Sequence, residues 1–275
     1  MALLRPGTAD EALAALAAGE AVDAGAMAVV VAHPDDETIG VGAQLPRLHG
    51  VTLVHVTDGA PRDGMDAGRH GFASPQAYAA ARRAELEAAV ALAGVPPEAL
   101  IGFELPDQQA ALHLADLARR LAALFAERGI RVALTHAFEG GHPDHEAVAF
   151  AVHAASRLDP GTAVIEMPFY RAGPEGWLTQ TFVPDPRAPE IALWLDPAGR
   201  ALKRRMLNAH ASQGGALAPF SPDIERFRRA PSHDFTVLPS SGDLLYERYD
   251  WGMTGARWQA LVRAAEAELG LARAA

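Results

Sequence analysis

The chain of 275 residues contains no cysteine. That excludes a disulfide framework and a thiolate metal site, so any bound metal must be held by imidazole and carboxylate. No stretch reaches the ~20 apolar residues of a membrane-spanning helix. Residues 1–21 are alanine-rich but carry Arg5, Asp10, Glu11 and Glu20, which interrupt the charge-free centre of a signal peptide. The expected setting is the cytoplasm. A basic surplus is also missing: 24 Lys and Arg face 34 Asp and Glu, for a net charge of −10. Non-specific nucleic-acid binding needs clustered positive charge, so it is not expected. What is present is a 49% hydrophobic content, enough to bury a sizeable core in a chain of this length.

Along the chain, strand-like and helix-like segments alternate. Thr8-Ala9-Asp10-Glu11 reads as a capping box opening a helix to about residue 18. Residues 26–32 form a continuous apolar run, typical of a strand buried on both faces. A helix is expected from Pro34 to Leu48, loosened by Gly40 and Gly42. Further strands are expected at 51–57, 100–103, 131–135 and 163–167. Helices are expected at 75–93, 112–128 (closed by Gly129) and 143–157, with a loop at 58–74. This predicts an α/β fold: a Rossmann-like, open and mainly parallel sheet with helices on both faces. Beyond residue 168 the pattern weakens. Residues 169–190 read as an extended wall or lid, 191–196 as a strand, and 197–213 as a helix whose Lys203, Arg204 and Arg205 face solvent. A helix closes the chain within 251–274. One domain spanning 1–275 is expected, with a core at about 26–168 and a C-terminal elaboration at about 169–275.

Two short words carry the chemistry: Ala32-His33-Pro34-Asp35-Asp36-Glu37 and Gly141-His142-Pro143-Asp144-His145. Each follows the carboxyl end of an expected parallel strand, where ligand sites of open α/β sheets lie. His33 and Asp36 are three residues apart, as are His142 and His145, so each pair can converge on one point. A catalytic zinc takes three protein ligands and keeps one open position; the candidates are His33, Asp36 and His145. Asp35 is left over as a general base, and His142 as an oxyanion donor or leaving-group acid. A set of two histidines and one carboxylate suits Fe(II) as well as zinc. Gly40-Val41-Gly42 is no dinucleotide fingerprint, because the third glycine is missing and an acidic turn precedes it.

With these words in place, the chain resembles the LmbE-like, PIG-L-type metal-dependent N-deacetylases. The resemblance rests on AHPDDE at 32–37, VTDG at 56–59, Arg82-x-x-Glu85, HPDH at 142–145 and His210-Ala-Ser212-Gln213, and spans about residues 27–215. It implies one zinc per chain on His33, Asp36 and His145, Asp35 as the base, His142 facing the transition state, and Asp144 orienting a histidine. It also implies substrate contacts from Arg82, Asp107 and His210, and a small amino-sugar-type substrate. Two departures touch substrate recognition: Gln108 stands where a glycine usually follows Asp107, and Glu139-Gly140-Gly141 replaces an aromatic-containing loop.

The activity expected is hydrolysis of an N-acetyl or other N-acyl group on an amino sugar or related small conjugate. The alternatives are a metal-dependent hydrolase of another amide, ester or carbamate, and a non-catalytic sugar-binding or regulatory protein on the same fold. The intact Asp35 argues against the last. His136 reads as a structural histidine, and His49, His55, His70, His113, His153 and His233 receive no functional role. The oligomeric state stays open, a homo-oligomer included.

Overall fold

The computed structural model describes residues 3–174, 176–249 and 251–271. Its central sheet has seven strands: β1 Met27–Val31, β2 Thr52–Thr57, β3 Leu100–Leu105, β4 Val132–His136, β5 Ala163–Met167, β6 Glu190–Trp194 and β7 Ile224–Arg229. Their order across the sheet is β6-β7-β5-β4-β1-β2-β3. The first five pair in parallel, while β7 runs antiparallel to β5 and β6 antiparallel to β7. The main helices are α1 Ala9–Ala18, α2 Asp36–Val41, α3 Pro75–Ala91, α4 Leu114–Arg128, α5 Pro143–Leu158, α6 Pro197–Ala209 and α7 Gly255–Leu269.

The expected parallel sheet is present, and the reason is visible in β1. Its side chains alternate between two cores, with Ala28 and Val30 in one and Met27, Val29 and Val31 in the other. A strand buried on both faces must be apolar at every position. One core lies under α4, α5 and α7 and includes Leu117, Leu121, Phe125, Val152 and Trp258. The other lies under α1, α3 and α6 and includes Leu16, Leu86, Val90 and Met206. Each such buried side chain contributes about 1.5–3 kcal/mol.

Several expectations need correction. The first motif does not open a helix at Pro34: α2 begins at Asp36, because the Asp36 carboxylate accepts the His33 backbone N–H at 2.7 Å and forms a turn. The helix stops at Val41, and a single 3₁₀ turn follows at Leu45–Arg47. Its glycines serve packing. A Cβ on Gly40 would meet Met167 Sδ at 2.7 Å, and one on Gly42 would meet Thr38 O at 2.6 Å. The 58–74 loop contains a short helix, Met65–Arg69, and the 169–190 segment holds an antiparallel hairpin, Tyr170–Gly173 with Gly176–Thr179. The closing helix ends at Leu269; residues 272–274 of the expected span lie outside the described residues.

The strand β7 had no counterpart among the expected elements. Its sequence, Ile224-Glu225-Arg226-Phe227-Arg228-Arg229, reads as charged and exposed. In the fold Glu225 and Arg228 are buried, each neutralised by a partner from elsewhere in the chain. Arg228 pairs with Glu166 of β5 at 2.8 Å, and Glu225 pairs with Lys203 of α6 at 2.9 Å. Lys203 is the only lysine of the sequence, and the solvent-facing reading of it is wrong: its side chain is fully buried, while Arg204 and Arg205 are exposed. Its ammonium also donates to Ile39 O at 2.7 Å, and Glu225 accepts from Ala43 N–H and Gln44 Nε2. The elaboration thereby grips α2 from behind.

Candidate active site

Strands β1 and β4 are neighbours in register, Val29 beside Leu134, so both histidine words emerge side by side at one rim of the sheet. The Ala32 N–H donates to His136 Nε2 at 2.9 Å and stitches the two strand ends together. Beyond β4, His142 caps α5 with Nδ1 accepting the Asp144 N–H at 3.1 Å, and Pro143 occupies the first helical turn as expected.

This brings His33, Asp36 and His145 together. His33 Nδ1 lies 3.2 Å from His145 Nε2 and 3.3 Å from Asp36 Oδ2, and His145 Nε2 lies 3.4 Å from Asp36 Oδ1. A tetrahedral ion with bonds of about 2.0–2.1 Å holds its ligand atoms roughly 3.3–3.4 Å apart, so the triangle fits a divalent metal. The far nitrogen of His33, Nε2, faces Asp107 Oδ1 at 3.1 Å and Asp144 Oδ2 at 3.4 Å. Carboxylates there favour a proton on Nε2, which would leave Nδ1 to a bound metal. A second donor set, His33, Asp107, His142 and Asp144, overlaps the first. In it Asp144 is already engaged, because its two oxygens accept the backbone N–H groups of Gln108 and Ala110 at 2.6 and 2.9 Å.

All these groups are buried except Asp107, which is partly exposed, so charge is costly and partners decide ionisation. Burial pushes the Asp36 carboxyl up, but His145, His136 and His33 outweigh it and hold it well below the usual range. Burial opposes charge on His33, yet Asp107, Asp144 and Asp36 raise it well above an ordinary histidine. Burial and the neighbouring histidines depress His142 well below the ordinary value, so the ring is neutral. With Nδ1 accepting a backbone N–H, its one proton sits on Nε2 as a donor.

Asp35 stands beside the triangle, 6% exposed. Its Oδ2 accepts from Arg82 Nη2 at 2.8 Å. Burial raises the Asp35 carboxyl, Arg82 pulls it back, and the net shift is upward. Arg82 is buried, and its guanidinium also donates to the carbonyl of Gly59. Gly59 has φ +69, and a Cβ there would lie 2.3 Å from Arg82 Nη1, so the VTDG word is the socket for this arginine.

The remaining expected residues divide. Asp107 lines the cavity and holds His33. His210 does not line the cavity: it is fully buried behind α2, 3.3 Å from Thr38 Oγ1 and 3.8 Å from Glu37. The word it belongs to docks on α3 instead. Ser212 donates twice to Glu85, at 2.9 and 2.7 Å, and Gln213 Nε2 donates to Tyr78 Oη at 2.6 Å while facing the cavity. The Glu139-Gly140-Gly141 loop also has a structural account. Glu139 Oε1 accepts the N–H groups of Phe169 and Tyr170 at 2.7 and 3.0 Å, which anchors the base of the hairpin.

Motif spacing alone did not locate the opposite wall of the cavity. Tyr170 stacks on Trp177 with centroids 4.5 Å apart, and Tyr249 stacks on Trp251 at 4.8 Å. Trp177 Nε1 donates to Tyr249 Oη at 2.8 Å, and Trp251 packs on His142 at 4.6 Å. The aromatic content of the 169–190 segment was the only available signal for the hairpin half. Trp251 is expected at the start of the closing helical segment, but that helix begins at Gly255, which leaves Trp251 in the loop that reaches the cavity.

Fold and site define the class: a Rossmann-like α/β protein with two histidines and one carboxylate at the strand ends that could hold a metal ion. Residues 28–156, just under half of the chain, match the model of the family described as PIG-L, GlcNAc-PI de-N-acetylase. Among solved structures, the A40926 pseudoaglycone deacetylase Dbv21 is similar in fold: TM-score 0.59 and 20% identity, over 76% of this chain and 100% of that one. The zinc-inhibited form of teicoplanin deacetylase Orf2 gives TM-score 0.58 and 16% identity over 75% and 99%. The N,N'-diacetylchitobiose deacetylase of Pyrococcus horikoshii gives TM-score 0.51 and 20% identity over 75% and 84%. No curated protein matches the chain. Among the described residues no helix is long and apolar enough to cross a membrane.

Proposed function

We propose that this chain is a zinc-dependent N-deacetylase that removes an acetyl group from an amino sugar or related small conjugate. The observation that carries this reading is the triangle of His33 Nδ1, Asp36 and His145 Nε2 with the unligated Asp35 beside it. His33, Asp36 and His145 would hold the metal, which would supply Lewis acidity toward a carbonyl oxygen and a water. Asp35 takes the proton of the attacking water. Its upward-shifted carboxyl suits a base working near neutral pH, and Arg82 fixes the direction of its free oxygen. His142, neutral with its proton on Nε2, donates to the developing oxyanion. Asp144 and Asp107 orient His33 from behind. The aromatic wall excludes water from one side of the cavity and offers flat faces to a ring-bearing substrate.

The test is Asp35→Asn. The variant is expected to keep its metal, measured by elemental analysis, and to lose about 10²–10⁴-fold in acetate release from N-acetylated amino sugars. Retained metal with full activity would remove Asp35 from the base role.

A further inference from the structure

A second cluster of metal-type donors lies away from the His33 corner, where β5, α5 and the segment after β7 meet. His153 comes from the last turns of α5, Glu166 from near the end of β5, and His233 from the chain beyond Arg229. One ligand atom from each lies within 4.8 Å of the others. Glu166 Oε1 is in hydrogen-bond contact with His233 Nε2 and lies 3.6 Å from His153 Nε2. Two atoms that share a tetrahedral ion through bonds of about 2.0–2.2 Å stand roughly 3.3–3.6 Å apart; Glu166 and His153 already do, and His233 would swing outward from its hydrogen bond by about 1 Å to complete the set.

The surroundings are built to hold this arrangement. Glu166 is fully buried, and its other oxygen, Oε2, is taken by Arg228 through Nε and Nη2, both at 2.8 Å. That pair aims Oε1 at the two histidines. His153 Nε2 is buried and has no hydrogen-bond partner within normal distance. Burial lowers the His153 pKa, which keeps the ring neutral and its lone pair available. Phe138 and Phe235 pack against the rings, and Phe150 packs on Phe235. A surface cavity lined by His153, Ser156, Arg157, Ser232, His233 and Glu266 leads to the cluster.

We propose that His153, Glu166 and His233 form a second divalent-metal site, taking an imidazole-preferring ion of the zinc, nickel or copper class. The donor set decides the class: two imidazoles and one carboxylate disfavour magnesium and calcium, which take oxygen ligands. Arg228 offsets the Glu166 charge, so the site binds its ion less tightly than the His33 corner. An ion there ties the segment after β7 to α5 and β5, and so pins the elaboration to the parallel core.

The probe is the metal alone. Metal-stripped protein titrated with Zn²⁺ is expected to bind one equivalent more than its His233→Gln or His153→Asn variant, with acetate release unchanged by either substitution. Equal stoichiometry in all three overturns the proposal. A direct reading avoids altering the cluster: in Asp36→Ala, which lacks a ligand of the first corner, Co²⁺ is expected to give a visible absorption band that disappears in Asp36→Ala/His233→Gln. Absence of any bound cobalt in folded Asp36→Ala also overturns it. These readouts do not depend on the deacetylase reading, because they count ions rather than turnover.

Discussion

One cavity is built from two unlike regions. The parallel core, 27–167, contributes its polar floor: His33, Asp35, Asp36, Arg82, Asp107, His142 and His145. The segment after it contributes aromatics and aliphatics: Tyr170, Trp177, Leu217, Phe220 and Trp251. The floor residues follow strand ends or sit on a helix packed against them, so backbone hydrogen bonding fixes their positions. The wall residues sit on a hairpin, the end of the short helix Gly214–Leu217 and loops, and side chains hold the hairpin: Glu139 under it and the Trp177–Tyr249 bond across its tip. Chemistry is thus rooted in the sheet, and shape in the contacts of the elaboration.

That contrast can be broken first at the floor. Asp36→Ala removes a metal-type ligand and a turn acceptor together; the metal of this corner is expected to be lost, lowering metal content by one equivalent, and acetate release to fall to background, a larger loss than for Asp35→Asn. Wild-type metal content in this variant would dissolve the assigned corner. The next test addresses the grip of the elaboration on α2. Lys203→Met leaves Glu225 buried without its cation and is expected to cost about 3–5 kcal/mol in chemical denaturation. Adding Glu225→Gln should recover part of that loss. A cost of about 1 kcal/mol or less, typical of an exposed pair, would mean that the grip is not made by this ion pair.

A third test sharpens the wall. Burial holds the Glu139 carboxyl well above the ordinary value, and hydrogen bonds from Phe169 and Tyr170 only partly offset this. The folded state therefore binds a proton that the unfolded state has released. This stability is complete below the ordinary carboxylate pKa of 4.5 and is lost as pH rises toward the folded value, by at most about 1.4 kcal/mol per pH unit. Glu139→Gln keeps the Oε1 acceptor and should flatten that slope in melts from pH 5 to pH 8; an unchanged slope would assign it elsewhere. The smallest effect is expected at Gln108, which has φ 68. A side chain pays about 1–2 kcal/mol in this conformation, and glycine's greater unfolded entropy returns part of it. Gln108→Gly should therefore raise stability by about 1 kcal/mol or less, with the N–H to Asp144 kept. A drop in melting temperature would show that the Gln108 side chain has contacts that outweigh the strain.

Much of the floor was legible before folding because it is local. The words at 32–37 and 141–145 each carry their own strand end, turn and spacing, and the alternation of apolar runs placed both on one rim. Arg82 and Asp107 were named only through resemblance. Their burial against Asp35 and His33 comes from tertiary contacts, as does the retreat of His210 behind Glu37 and Thr38. The strand β7 and the burial of Lys203 were illegible because their charges are neutralised by residues at least 20 positions away in the chain.

By itself, then, the sequence determined the parallel sheet, the two histidine words and the ion chemistry their donors allow, since periodicity and short spacing are properties of neighbouring residues. Tertiary structure alone decided which carboxylates stand behind His33, which aromatics close the cavity, and where the chain's only lysine goes. Those outcomes depend on distant segments meeting in a medium where an unpaired charge is too costly to bury.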